Sequence, residues 1–332
     1  MKLMKILFAV VIIILVAIIL EKQIPEEYIP EPIKNSLTKI QDSIENIDVG
    51  SLVDKIPEDI LPKEERELIS SLLPEQREGV TREDIQDISI RERQELRDMI
   101  SSYSQSSQGN TTIGSFDTAK RRLANIYVET LPAITFYCSC DFTGSDIDHS
   151  NCGFENDGRW DVRATRLEWE HVVPAENFWR AFEEWRNPEN FPHCQWRTGR
   201  QCAGTNEIYR AMEADLYNLL PAIGSVNAAR SNFNFGMVNK KDWVYGECDF
   251  HIEDRIAEPK DSIKGDIARI YFYMAAVYPE VNLLSSQSER LFLAWDRMDP
   301  IDELECRRYF AYKEVQKNIN PILHDTCAEL LK

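Results

Sequence analysis

Eight cysteines, Cys138, Cys140, Cys152, Cys194, Cys202, Cys248, Cys306 and Cys327, all lie beyond residue 137, and nothing before that point contains one. An even set confined to one region narrows the folds open to it, because every cross-link ties two backbone points together. Zinc is the competing use of cysteine. Cys138-x-Cys140 is tighter than the usual spacing of zinc ligands and has no matching second pair, so the set reads as a disulfide framework. Eight cysteines allow roughly a hundred pairings, which leaves the connectivity open. Disulfides also imply an oxidising compartment. The start of the chain agrees. Lys2 and Lys5 precede an unbroken apolar run from Ile6 to Leu20. The run is long for the apolar part of a signal peptide and short for a span, which takes about 20 residues. Residues 1–20 therefore fit a signal peptide or an uncleaved membrane anchor. Both predict an extracytoplasmic protein, secreted, periplasmic or anchored facing outward.

Residues 21–115 are acidic, contain several prolines and are poor in aromatics. IPEEYIPEPI cannot be a helix interior, since prolines interrupt it. Leu37–Ile47 and Arg82–Ile100 carry apolar residues at roughly helical spacing, with Ile85, Ile88, Leu96 and Ile100 in the second. SSYSQSSQGNTT follows and reads as a flexible linker. The expected organisation is an acidic linker or stalk with short helices over 21–115 and one domain over 116–332. In that domain, Thr135–Phe142 and Arg166–Val173 are strand material. Asp261–Tyr278, Ser285–Met298 and Asp302–Lys317 are helix candidates, the last with Asp302 at the N-cap. The fold class is α+β with more helix than sheet.

The formal net charge of −18 argues against a broad electrostatic footprint for nucleic acid or acidic membranes, though not against a local basic cleft. Chemistry concentrates in a few places. RLEWEHVVPAENF sets Glu170 and His171 side by side where a strand runs out at Pro174. Gly199-Arg200 precedes Cys202, and NLLPAIGSVN runs from Asn218 to Asn227. Each feature alone has a bland reading: a structural histidine, a surface arginine, a helix cap. Together they suit one reaction. A neutral imidazole can take a proton from water near pH 7. A carboxylate with an amide oxygen makes an incomplete hard-oxygen site of the kind Mg²⁺ occupies. An arginine offsets charge on a pentavalent phosphorus. The sum is phosphodiester hydrolysis. His-Glu-x-x-His, Gly-x-Ser-x-Gly and Walker motifs are absent from the sequence.

EWEHVVPA, GRQC, MEADLYNLLPAIGSVNAARSNFNFG, KDWVYGECDF, AEP, GDIARIYFYM and LFLAWDRMDP follow one another in that order. As an ordered set, from about Thr118 to Cys327, they closely resemble the bacterial endonuclease I family of periplasmic and secreted non-specific nucleases. The resemblance implies a mixed helical domain carrying a ββα-metal (His-Me) finger, in which two strands and a helix grip one divalent ion. It implies His171 as the general base, Glu170 and Asn227 as metal ligands, and Arg200 as the group that steadies the scissile phosphate. Glu213 would support the site and Asn218 would brace the finger. Mg²⁺ is the implied ion, with Mn²⁺ or Ca²⁺ as alternatives, and the products would carry 5′-phosphates. The implied partner is DNA, with RNA beside it, and the protein is expected to be a monomer that meets a membrane only through an uncleaved N-terminal segment. Arg159, Arg163, Arg166 and Arg230 are candidate phosphate contacts. The resemblance also implies the pairs Cys194–Cys202, Cys306–Cys327, Cys140–Cys152 and Cys138–Cys248. The chain departs from the family's pattern at Tyr217, at Ala228-Ala229-Arg230 and in a longer segment between His171 and Arg200. A catalytically inactive nucleic-acid-binding relative, a small-molecule phosphodiesterase and a structural envelope protein are the alternatives.

Overall fold

The computed structural model describes residues 79–197 and 199–332, so the apolar run at 6–20 and residues 21–78 of the expected stalk lie outside the described residues. Capping chemistry organises the first part. The Asp84 amide donates to Thr81 Oγ1 at 3.2 Å, and the Thr81 amide donates to Asp84 Oδ2 at 2.7 Å, which starts α1 (Arg82–Asp87). Ser89 and Glu92 repeat the exchange at the start of α2 (Ile90–Ser106). Val80, Ile88, Leu96 and Ile113 are buried, and Arg97 makes a two-pronged bond to Glu289 at 2.8 and 2.7 Å.

The expectation of a stalk through residue 115 is corrected for its last part. Residues 101–106 of the serine-rich run complete α2 instead of forming a linker. Asn110 is buried; its amide N–H donates to Tyr278 Oη at 2.8 Å, and its Nδ2 donates to the carbonyls of Ile113 and Ala211 at 2.8 and 3.0 Å. Gly109 lies flat on the Tyr278 ring, where a Cβ would come within 2.3 Å. Apart from Ile113, the anchors of this run, Tyr278 and Ala211, are more than a hundred residues away in the chain. Its polar composition therefore looks like that of a linker until those partners are in place.

Ser115 caps α3 (Phe116–Glu129), which buries Ala119, Leu123, Ile126 and Tyr127 on one face. A short antiparallel pair follows, β1 (Asp141–Thr143) with β2 (Asp146–Asp148). The strand expected over 135–142 is thus present only at its end. The Cys140 amide donates to Thr135 Oγ1 at 2.9 Å, and Ser139 takes a left-handed φ of 56°, so 135–140 is a turn. After α4 (Asp161–Ala164) come β3 (Leu167–His171), α5 (Glu183–Arg186), α6 (Gly199–Ala203) and α7 (Glu207–Glu213). Then follow β4 (Leu219–Ile223), α8 (Gly224–Arg230), β5 (Asn234–Phe235), β6 (Phe250–Glu253) and β7 (Ile256–Pro259). β3 pairs with β4, and β5, β7 and β6 make a third small sheet in that order.

Helices α9 (Lys264–Val277), α10 (Ser286–Met298), α11 (Glu303–Gln316) and α12 (His324–Leu330) complete the chain. Every residue of α9 is buried. The periodicity suggests a single apolar face, but α2 and α10 cover further sides. The wholly buried Asp215 links these layers. It accepts from Tyr273 Oη at 2.9 Å, Tyr278 Oη at 2.8 Å and Gln316 Nε2 at 2.8 Å. All eight cysteines are paired, as 138–248, 140–152, 194–202 and 306–327. Among the described residues no helix is long and apolar enough to cross a membrane.

The corrected boundary has a measurable consequence. A fragment beginning at residue 116 uncovers the surfaces that Val80, Ile88, Leu96 and Ile113 bury, each worth roughly 1.5–3 kcal/mol before entropy is subtracted. That fragment should melt about 10 °C or more below one beginning at residue 79. Equal melting temperatures in calorimetry would show that 79–115 contributes nothing to the fold.

Candidate functional site

The strand β3 lies antiparallel to β4 with Glu168 opposite Ala222, Glu170 opposite Leu220 and His171 opposite Leu219. β4 is buried throughout and turns straight into α8. Gly224 makes that turn possible, because a Cβ there would sit 2.6 Å from the Arg163 carbonyl oxygen and 2.8 Å from Glu168 Oε1. The result is an open hairpin, its two strands joined through residues 172–218, with a helix folded back on it. The side chain of Asn218 pins the hairpin's entry. Its Oδ1 accepts from the Val173 amide at 2.7 Å, and its Nδ2 donates to the Val173 carbonyl at 3.0 Å.

A cleft of about 660 Å³ opens beside this unit, bordered by Glu168, Glu170, His171, Arg200 and Asn227. Glu170 and His171 thus reach one cleft, although each is fastened to a different wall. The His171 ring packs against Phe116 with centroids 4.7 Å apart, and its Nε2 lies 2.8 Å from the backbone oxygen of Glu213. A carbonyl only accepts, so Nε2 carries the hydrogen, and in the neutral ring Nδ1 holds the free lone pair. Burial pushes the imidazole down to about 4. His171 is therefore neutral across the physiological range and able to accept a proton.

Glu213 serves twice. Its backbone orients His171, and its side-chain Oε1 accepts from Arg200 Nε and Nη2 at 3.1 and 2.8 Å. Glu170 is nearly inaccessible. Its Oε1 accepts from Tyr137 Oη at 2.9 Å and from Arg230 Nη1 at 2.8 Å. Burial raises the Glu170 carboxyl's pKa, and Arg230 and Tyr137 oppose that rise. Asn227 donates through Nδ2 to Glu168 Oε2 at 3.0 Å.

The four arginines expected at phosphates divide. Arg230 is a correction: it is completely buried, donating to Glu170, to the His171 carbonyl at 2.8 Å and to the Val172 carbonyl at 2.6 Å. Its guanidinium also lies over Phe235, and no substrate reaches it without opening the core. Arg163 borders the cleft, but its fork closes on Glu168, with Nε to Oε1 at 2.8 Å. Arg159 is paired with Asp157 at 2.6 Å and is not among the residues bordering the cleft. Arg166 is exposed. His193, Cys194 and Cys202 lie close together among the described residues, but the two sulfurs are bonded to each other. Glu168, Tyr137 and Phe116 also belong to the site, beyond the residues expected from the sequence. Glu168 had a signal, since a residue two before Glu170 in a strand shares its face.

In metal-free protein held in EDTA, an NMR titration of His171 should give a midpoint near 4, far below the usual 6.5. The depressed value also sets a sign for stability. The contribution is complete above the unfolded value near 6.5 and is lost as the pH falls through the folded one. A midpoint near 6.5 would mean that the ring is solvated in solution.

The Endonuclease I family model matches residues 93–327. An extracellular deoxyribonuclease of Aeromonas hydrophila is 37% identical over 222 residues, covering 65% of this chain and 90% of that one. A periplasmic deoxyribonuclease of the same organism is 36% identical over 219 residues, covering 64% and 86%. An extracellular ribonuclease of Bacillus subtilis (strain 168) is 31% identical over 126 residues, covering 33% and 43%. With a match that spans most of the chain and includes every residue of the hairpin, the helix behind it and the cleft they border, the protein belongs to the Endonuclease I family.

Proposed function

We propose that this chain is an exported, metal-dependent, non-specific endonuclease that hydrolyses DNA phosphodiesters, with RNA as a second substrate. One observation carries the reading: a neutral, oriented imidazole, an arginine, a carboxylate and a side-chain amide all border a single cleft. The names of the relatives, deoxyribonucleases outside the cytoplasm and one extracellular ribonuclease, support the substrate class and the export. Four disulfides support an oxidising compartment.

The hairpin β3–β4 with α8 is read as a ββα-metal finger. The donor set fits a hard cation. Side-chain donors to Glu170 end on Oε1, so Oε2 is the atom with which it would hold an ion. The NH₂ of Asn227 is taken by Glu168, so its Oδ1 is the available donor. Two oxygens leave most of a shell to water and phosphate, which suits Mg²⁺, and Mn²⁺ or Ca²⁺ share the preference for oxygen. When bound, the ion supplies positive charge at the scissile phosphate.

His171 then accepts a proton from the attacking water at Nδ1, and the Glu213 carbonyl keeps the ring in the tautomer that can do so. Arg200 presents a guanidinium to the charge that gathers on phosphorus. An arginine carries five N–H donors, of which Glu213 takes two, so donors remain for phosphate. Phe116 closes one side of the imidazole and limits its exchange with bulk water. The bond from phosphorus to the 3′-oxygen breaks, that oxygen takes a proton from solvent water, and the products carry a 3′-hydroxyl and a 5′-phosphate.

The test is plasmid nicking by the oxidised full-length protein, with Mg²⁺, with EDTA, and with His171→Ala. Cleavage should need the metal and fall by about 10²–10⁴ in the variant. Arg200→Ala should lose about 10²-fold in kcat. Binding without cleavage in any divalent metal would favour the inactive binding module. Neither binding nor cleavage would point to small phosphoesters.

A further inference from the structure

We propose that Glu168, itself fixed by Arg163, is a positioning residue for Asn227 and thereby sets the cation affinity of the finger. The inference rests on the reading of Asn227 as a metal ligand. An ionised carboxylate offers only acceptors, so a side-chain amide beside it must turn its NH₂ toward it. Asn227 does so, with Nδ2 donating to Glu168 Oε2 at 3.0 Å. This contact decides which end of the amide is free: Oδ1, the atom a cation needs. Without Glu168 the amide could rotate half a turn and present hydrogens to the ion, or sample both orientations.

Three further observations show that Glu168 is held for this task. Arg163 grips both of its oxygens, through Nε and Nη2, and a two-pronged arginine contact fixes the plane of a carboxylate. The Arg163 guanidinium is in turn placed over the Trp160 ring, at 5.7 Å from its centroid. Gly224, at the first turn of α8, leaves room for Glu168 Oε1 that any side chain would fill. Glu168 is only half-buried and borders the cleft, so the arrangement is not simply core packing. Arg163 is then part of the finger's scaffold, and its charge is balanced by Glu168 before any phosphate arrives.

The experiment measures Mn²⁺ binding to the oxidised full-length protein without nucleic acid, by the loss of the free-ion EPR signal. Wild type, Glu168→Ala, Glu168→Gln, Asn227→Ala and the double variant Glu168→Ala/Asn227→Ala form the set, with thermal melting as the check on folding. Loss of an orienting partner should weaken binding about 10-fold or more in Glu168→Ala. Glu168→Gln keeps an acceptor of the same reach and should lose less. The double variant should bind no more weakly than Asn227→Ala, because Glu168 acts through that amide. If the two losses instead multiply, and Glu168→Gln is as damaging as Glu168→Ala, then Glu168 touches the ion directly and the proposal is wrong. An unchanged affinity in Glu168→Ala beside a weakened Asn227→Ala would also overturn it. If Asn227→Ala itself binds Mn²⁺ as wild type does, the underlying assignment of the ligand fails instead. Should Glu168→Ala melt below the assay temperature, Glu168→Gln with and without Asn227→Ala provides the same comparison.

Discussion

Arg230 is shielded from solvent, and the unit of β3, β4 and α8 depends on it. It stands at the last turn of α8 and reaches back to the end of β3, where it bonds Glu170 and the carbonyls of His171 and Val172. Those carbonyls lie where the strand stops pairing, so without the guanidinium they would be buried acceptors lacking a strong donor. The charge on Glu170 would lose its partner as well, and an unpaired buried carboxylate is among the costlier defects a protein can carry, at about 3–5 kcal/mol. One side chain thus joins helix to hairpin, keeps Glu170 ionisable and holds the backbone of the residue that presents the imidazole. Phe235 under its face and Tyr137, which donates to the same Glu170 oxygen, extend the cluster into the core.

How legible this was depended on the range of each interaction. No local signal marks β4 or the helix that starts at Gly224, whereas the alternation in LEWEH is one, and β3 lies inside the stretch where it places a strand. The capped helices Ser286–Met298 and Glu303–Gln316 lie within a residue of their expected bounds for the same reason. Arg230 was read as a phosphate contact because an arginine near a catalytic motif looks alike in sequence whether it faces a ligand or a carboxylate. Its burial depends on Glu170, which is 60 residues away in the chain. The serine-rich run misled in the same manner. Asn110 and Gly109 are fixed by Tyr278, Ala211 and Asp215, none of them visible from composition. In Thr135–Phe142 the β-branched and aromatic residues point to a strand, but two disulfides and the Thr135 hydroxyl hold the chain in a turn.

On the proposed reading, an acidic protein has to handle a polyanion in this cleft. With a formal charge of −18, the far field repels nucleic acid, so binding must be won at short range. The two arginines that border the cleft are each already matched, Arg163 with Glu168 and Arg200 with Glu213. They are not equivalent. Arg163 gives its fork to both oxygens of one carboxylate, which leaves it little to offer a phosphate. Arg200 gives two donors to a single oxygen and remains half exposed, so an arriving phosphate can share it without breaking the pair. Lys120, which also borders the cleft, pairs with Asp117 at 2.7 Å, so a cation between Glu170 and Asn227 would add a positive charge that no protein pair already offsets. On the proposed reading the metal would do more than assist the chemical step. It would set how strongly the cleft attracts a phosphate, and the orientation of the Asn227 amide would then bear on binding and cleavage together.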